Sequence, residues 1–194
     1  MRAWPLKIKP GPAFVPTAFL DRDGTLNRDS RAYITSPAGL KIYAFAAKAV
    51  ALLNRKGYRV VVLTNQSGVA RGYMKLATSK AINFKLVREL RRAGAVIDAV
   101  YFCPHGPDDG CSCRKPSPGL IEEALKDCPA DMARSFMAGD KRSDLELARR
   151  AGIKGEFVLT GQWRSAGAAA AKRGHRDLLA LARALPDYRE RKTK

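Results

Sequence analysis

Phe19-Leu20-Asp21-Arg22-Asp23-Gly24-Thr25 sets the reading of this chain. The apolar run Ala18 to Leu20 closes a strand predicted over Thr17 to Leu20. Two carboxylates follow at once, two residues apart, then a glycine able to turn the chain and a threonine. A strand that ends in acids is poor packing. Buried carboxylates are costly unless paired, hydrogen-bonded or bound to a cation. The pattern becomes sensible if a divalent cation and a phosphoryl group sit at the strand end. Asp-x-Asp is also a common solvated turn, so the rest of the chain has to decide.

Outward from this stretch, strand and helix patterns alternate. Residues 44–56 predict a helix, with Phe45, Ala49, Leu52 and Leu53 at helical spacing and Gly57 as its stop. Tyr58 to Leu63 is a β-branched strand bounded by Thr64-Asn65-Gln66-Ser67-Gly68, and its near-continuous apolar run suits a parallel strand covered on both faces. Residues 75–93 predict a basic helix with Ala81, Phe84, Leu86, Val87 and Leu90 on or near its inner face. Val96 to Phe102 is a third strand, and Cys103 to Pro118 a loop rich in Cys, Gly and Pro. Leu120 to Lys126 is a helix, and Ser135 to Ala138 a short fourth strand ending at Gly139-Asp140. Ser143 and Glu146 are spaced as the capping box of a helix that Gly152 ends, and Glu156 to Leu159 is a fifth strand. Ala166 to Ala171 and Leu178 to Leu185 are helical in character.

The polar stretch 26–43 is either a functional cover or a surface excursion. Residues 1–16, with four prolines, predict an extended arm, 17–187 one domain, and 188–194 a basic tail. The alternation argues for an α/β fold with a mainly parallel sheet flanked by helices. Ligands in such sheets bind beyond the carboxyl ends of the strands. Asp21/Asp23, Thr64-Asn65 and Asp140 all fall there, and that shared position disfavours the solvated turn.

Carboxylates from two strand ends, with backbone oxygens and waters, make a magnesium site. Thr64 offers a hydroxyl, the N–H groups after it offer donors, and Lys115 offers a positive charge, all suited to phosphate oxygens. This is a phosphoryl-transfer set, in which positioning and charge neutralisation dominate. One aspartate can attack phosphorus, and another two residues on can protonate the leaving oxygen and activate water. Separately, Cys103, His105, Cys111 and Cys113 offer three thiolates and one imidazole. That is a closed tetrahedral set for a structural zinc, bracing a loop that ends in Arg114-Lys115.

Composition bounds the rest. The 194 residues carry 36 basic against 18 acidic side chains, a formal +18. The charge is scattered and not interleaved with aromatics, which argues against a nucleic-acid platform and suits small anions as well. No run of eighteen apolar residues exists and the N-terminus lacks an apolar signal core, so a cytoplasmic location is the expectation. No exposed apolar helix demands a partner, so a monomer is expected.

Four stretches together are similar to the haloacid-dehalogenase (HAD) superfamily of phosphatases. They are Phe19-Leu-Asp-Arg-Asp-Gly-Thr-Leu-Asn27, Thr64-Asn-Gln-Ser-Gly-Val-Ala-Arg-Gly72, Cys103-Pro-His105 with Cys111-Ser-Cys-Arg-Lys-Pro-Ser-Pro-Gly119, and Gly139-Asp-Lys-Arg-Ser-Asp144. Within it the chain most closely resembles the bacterial D-glycero-D-manno-heptose 1,7-bisphosphate phosphatases. The resemblance implies a Rossmann-like HAD fold with a zinc-binding loop and no large cap domain. It implies Asp21 as nucleophile, Asp23 as general acid/base that also gives magnesium its backbone carbonyl, and Asp140 as the remaining magnesium carboxylate. Thr64 and Lys115 would hold the transferring phosphoryl group. Asn65, Arg71, Arg114 and Lys141 would contact substrate. Asp144 would support the metal through water or serve only the helix dipole. The implied reaction is removal of the 7-phosphate, on the route to nucleotide-activated heptose for cell-surface glycans. The short His105–Cys111 interval also occurs in histidinol-phosphate phosphatases, which share the zinc cluster; residues 64–72 look like the heptose branch. A nucleic-acid-end phosphatase and a non-catalytic zinc-stabilised binding module are the further alternatives. A module has no reason to hold repelling acids together.

Overall fold

The computed structural model describes residues 14–161 and 172–189. Most of the expected N-terminal arm, the Ala166 to Ala171 helix and the last residues of the tail lie outside them. Five strands, β1 (Val15–Leu20), β2 (Arg59–Asn65), β3 (Ala99–Cys103), β4 (Ala130–Gly139) and β5 (Lys154–Phe157), form one sheet in the order β3-β2-β1-β4-β5. Every neighbouring pair is parallel. The helices are α1 (Ala46–Arg55), α2 (Leu76–Arg92), α3 (Gly119–Asp127), α4 (Arg142–Arg150) and α5 (Leu178–Ala184).

Strand residues alternate between two cores because successive side chains point to opposite faces. Ala18, Leu20, Val60, Val62, Phe136 and Ala138 join the core that α1, α2 and α5 cover. Phe19, Val61, Leu63 and Met137 face the other way, toward Leu120 and Ile121 of α3 and Leu147 of α4. Three strands buried on both faces explain their near-continuous apolar runs. β1 occupies the middle of the sheet, so its carboxyl end faces the groove between β2 and β4.

Several elements differ from their sequence reading. β1 begins at Val15, inside the expected arm, and Tyr188, expected in the tail, packs edge-on against Tyr58 at 5.3 Å. α2 turns Ser79, Ile82, Asn83, Leu86, Val87 and Leu90 inward, leaving Ala81 and Phe84 on its outer side. Ile82 and the polar Ser79 and Asn83 complete the buried stripe that Leu86, Val87 and Leu90 share. β4 starts five residues earlier than expected. Its register against β1 slips between Pro16 and Ala18, and the Ser135 hydroxyl closes the slip, accepting from Thr17 N–H at 2.9 Å and donating to the Asp131 carbonyl. Pro16 has no N–H for the ladder, so the irregularity costs little there. The capping of α4 comes not from Ser143 and Glu146 but from Asp144, whose Oδ2 accepts from Lys141 N–H at 3.0 Å. Glu146 instead pairs with Arg149 and Arg150 on the surface.

Candidate active site

The β1 chain leaves the sheet at Asp21, whose N–H still bonds the Ala138 carbonyl of β4 at 2.8 Å. That bond aims the side chain along the sheet edge, between β2 and β4. Asp21 Oδ1 accepts from Arg22 N–H at 2.7 Å and from Lys115 Nζ at 2.7 Å; neither bond uses Oδ2. Lys115 Nζ also donates to the Leu63 carbonyl at 2.9 Å and pairs with Asp144 Oδ1 at 2.8 Å. Its three acceptors therefore come from the ends of β1 and β2 and from α4. Burial works to lower the Lys115 pKa, but the charges of Asp144 and Asp21 outweigh it and hold it above the usual lysine value. Burial, with Asp21 nearby, raises the Asp144 carboxyl in spite of Lys115.

Asp21, Asp140 and Asp144, all buried, bring one carboxylate oxygen each within 4.8 Å of one another. Three hard oxygen donors at one point fit a magnesium ion, which takes carboxylates and keeps waters. Three glycines leave the carboxylates their space. A Cβ on Gly24 or on Gly161 would come within 3.0 Å of Asp140, and one on Gly139 would do the same to Asp144. Gly24 also sits at φ +88°, in the left-handed region that glycine adopts without strain.

Asp23 stands outside this trio. Its Oδ1 accepts from Arg22 Nε at 3.1 Å and Asn27 Nδ2 at 2.8 Å, and its Oδ2 from Arg22 Nη2 and Gln66 Nε2, both at 2.8 Å. Burial works to raise the Asp23 carboxyl, but the charge of Arg22 and the bonds from Arg22, Asn27 and Gln66 hold it below the ordinary carboxylate value. Thr64, at the end of β2, is buried, and its Oγ1 accepts from the same Gln66 amide at 2.9 Å.

A cleft of about 520 Å³ opens beside the trio, with Arg22, Asp23, Gln66 and Lys115 in its lining. One wall is the 29–34 stretch, with Asp29, Arg31 and Tyr33; the other holds Asn65, Arg114, Lys115 and Lys141. Within the polar stretch 26–43, Asp29, Ser30, Arg31, Tyr33 and Ile34 reach this lining. Lys141 Nζ pairs with Asp29 across the cleft at 2.9 Å, and nearby acids outweigh its burial to raise its pKa. Of the expected substrate contacts, Arg114 and Lys141 line the cleft, whereas Arg71 is exposed and outside its lining. The turn at Gly72, φ +73°, carries it away. Asn65 lines the cleft too, but its amide is engaged: Oδ1 accepts from Lys115 N–H at 3.0 Å and Nδ2 donates to the Lys115 carbonyl at 3.1 Å. The Gln66 N–H, expected to be open to phosphate, bonds the Cys103 carbonyl at 2.7 Å.

The cysteine loop closes as a cluster. Cys103 Sγ lies 3.6 Å from His105 Nδ1 and 3.6 Å from Cys111 Sγ; Cys113 Sγ lies 3.2 Å from His105 Nδ1 and 3.7 Å from Cys111 Sγ. Tetrahedral bonds of zinc to sulfur and nitrogen put neighbouring ligand atoms about 3.5–3.8 Å apart, so the four atoms fit the ion. Cys128 stands apart, buried against the α3 side of the sheet. Sequence reasoning missed Arg22, Asn27, Gln66, Gly139 and Gly161. The amides and glycines bear no signal by type, but Arg22, between two aspartates and before a buried loop, was open to notice.

Comparison with known proteins agrees with this geometry. Residues 112–182 match the HAD-hydrolase-like family model. The D-glycero-β-D-manno-heptose-1,7-bisphosphate 7-phosphatase of Bordetella bronchiseptica is 43% identical over 145 residues, covering 75% of this chain and 81% of that protein. Its counterpart in Rhodopseudomonas palustris is 43% identical over 154 residues, covering 76% and 84%. The crystal structure of D,D-heptose 1,7-bisphosphate phosphatase from B. bronchiseptica, complexed with magnesium and phosphate, matches with a TM-score of 0.79 and 39% identity, covering 87% of this chain and 96% of that one. The Burkholderia thailandensis enzyme matches with a TM-score of 0.64 and 31% identity, covering 86% and 96%. Fold and site define a phosphoric monoester hydrolase of the HAD type. Within that class, the chain belongs to the D-glycero-D-manno-heptose-1,7-bisphosphate 7-phosphatase family.

Proposed function

We propose that this chain removes the 7-phosphate of D-glycero-D-manno-heptose 1,7-bisphosphate, with magnesium, through an aspartyl-phosphate on Asp21. The observation that carries the chemistry is the meeting of Asp21, Asp140 and Asp144 around Lys115 at the strand ends. The sugar rests on the relatives, which bear that activity in their names.

Asp21, Asp140 and Asp144 would hold magnesium, with the Asp23 backbone carbonyl as a further ligand; the ion supplies positive charge to the phosphoryl oxygens. Oδ2 of Asp21, left open by Lys115 and Arg22, attacks phosphorus as the bond to the C7 oxygen breaks. Asp23, ionised at rest beside Arg22, takes up a proton as the negatively charged substrate binds and gives it to the leaving oxygen. It then takes a proton from the water that attacks the aspartyl-phosphate and sheds it as phosphate leaves, so both acids return to their starting states. Thr64 and Lys115 hold the transferring group, and Arg114 and Lys141 receive the second phosphate along the cleft. Asp23 already lines the cleft, and Arg22, Asn27 and Gln66 set the direction from which its carboxyl meets the leaving oxygen. Cys103, His105, Cys111 and Cys113 would bind a structural zinc, which keeps Arg114 and Lys115 in place. The working unit reaches from β1 at Val15 to Tyr188, slightly wider than the expected 17–187, a monomer acting on a small sugar phosphate in the cytoplasm, with nucleic acid no part of its task. No helix among the described residues is long and apolar enough to cross a membrane.

The test is phosphate release from heptose 1,7-bisphosphate, histidinol phosphate and 3′-phosphorylated DNA, with magnesium present. The bisphosphate is expected to be hydrolysed with the highest kcat/KM. Preference for histidinol phosphate, whose phosphatases share the zinc cluster, would overturn the substrate. Hydrolysis that persists in Asp21→Asn would overturn the mechanism.

A further inference from the structure

Asn83 is out of place on α2. It lies on the helix's buried stripe beside Ile82, Leu86 and Val87, is 3% exposed, and does not line the cleft. Its Oδ1 accepts from Arg22 Nη1 at 2.6 Å, while its Nδ2 is buried with no hydrogen-bond partner among the described residues. A buried amide donor left unmet is costly, and a leucine would suit the stripe without it. What the position retains at that cost is the acceptor for Arg22. The reversed amide would set an N–H against a guanidinium, so only this orientation is sensible.

Among the described residues, Arg22 is the largest fully buried side chain, at 1% exposure. Its guanidinium has two clients. Nε and Nη2 hold both oxygens of Asp23, and Nη1 is turned to Asn83. A planar guanidinium presents its donors in a fixed pattern, so anchoring Nη1 sets the plane in which Nε and Nη2 meet the carboxylate. Asn27 and Gln66 add one bond each but no such plane.

We infer that Asn83 is a positioning residue for the phosphatase reaction: through Arg22 it fixes the resting orientation of Asp23, the proton carrier, from a helix that touches neither metal nor substrate. This rests on the role proposed for Asp23. With the Asn83 acceptor gone, Nη1 seeks another partner, the guanidinium turns, and Asp23 starts from a scatter of rotamers. The proton transfer then slows while substrate binding, carried by the cleft cations and the magnesium site, stays as it was.

The experiment uses the magnesium-loaded full chain on heptose 1,7-bisphosphate and, in parallel, on p-nitrophenyl phosphate. Asn83→Leu and Asn83→Ala are compared with Asn83→Asp, which keeps an oxygen at the same place, and each variant's melting temperature is recorded. The expected result is a fall in kcat of about tenfold for Leu and Ala on both substrates, with KM within about twofold of wild type, and recovery to within about threefold in Asn83→Asp. In an Arg22→Gln background, Asn83→Leu is expected to cost nothing further. Wild-type kcat in folded Asn83→Ala or Asn83→Leu would overturn the inference. So would a loss as large in Asn83→Asp, or full additivity with Arg22→Gln, either of which would mean that shape and not the acceptor matters. A wild-type chain active on the aryl phosphate but not on the heptose substrate would overturn the proposed substrate alone, since the comparison of variants proceeds on the aryl phosphate.

Discussion

At the scale of single residues, Lys115 decides whether the centre can exist. Its ammonium sits at 3% side-chain exposure between two buried carboxylates, Asp21 and Asp144. Removing one member of a buried charge set costs far more than the pair contributes, because the survivors are left uncompensated. Lys115→Met is therefore expected to lower kcat by at least about 100-fold and to destabilise the chain when magnesium is absent. Magnesium should restore much of the melting temperature, because the cation takes over the charge that Lys115 supplied. A melting temperature indifferent to magnesium in that variant would show that the carboxylates do not share a cation. Gly161→Ala tests the same trio from the other side. A Cβ there cannot coexist with Asp140 as placed, so magnesium affinity measured by titration calorimetry should fall by about tenfold or more. At this scale the acids were legible. Asp21 and Asp140 are acids where a strand should end in something else, and Lys115 adjoins a recognisable loop. Asn83 and Gln66 were not, because a buried amide gives no sign of its partner until the chain is folded.

At the scale of elements, the cysteine loop and the end of β2 form one device. The four candidate zinc ligands close residues 103–113, Arg114 Nη1 donates to the His105 carbonyl at 3.2 Å, and Asn65 grips the Lys115 backbone with two hydrogen bonds. The loop has no core of its own, so metal binding and local order are one equilibrium. Cys111→Ala is expected to lose bound zinc and to raise hydrogen exchange across residues 103–115, while β1 and β2 stay protected. Unchanged metal content and exchange would rule zinc out. Asn65→Leu should leave the zinc in place yet lower kcat about tenfold, by releasing Lys115 from β2. Element types were readable because period and punctuation agree: β2 is apolar from Val60 to Leu63 and the helix pattern of α1 stops at Gly57. The phase of α2 and the length of β4 were not. Phe84 suggests an inner face that the fold gives to Ile82, and Asp131 and Arg134 hide the first half of a strand.

At the scale of the molecule, the +18 charge acts as a field and not as a patch. The cleft carries Arg22, Arg31, Arg114, Lys115 and Lys141 against Asp23 and Asp29, so a bisphosphate is drawn by the whole surface and then by the walls. Raising salt from about 20 to about 300 mM, across which the Debye length shrinks several-fold, should lower kcat/KM for a bisphosphate several-fold and leave kcat nearly unchanged. A flat kcat/KM would mean that capture is local to the cleft. The parallel sheet itself was predictable from the strand–helix alternation, and with it the edge at which the site lies. The cleft walls were only half readable, since Arg31 and Asp29 lie in a stretch with no periodicity, and Arg71 is turned away.

The three acceptors around Lys115 come from stretches far apart in the chain, Asp21, Leu63 and Asp144. Only a stretch that spans residues 21–144 holds all three, and a slip of β1 or β2 in the sheet moves Asp21 or Leu63 out of place. Turnover is thus an all-or-none readout of correct chain topology. In refolding or fragment complementation, enzymatic activity should return only with the last strand to dock, later than the helical signal. The protein carries its own assay for having reached the native fold.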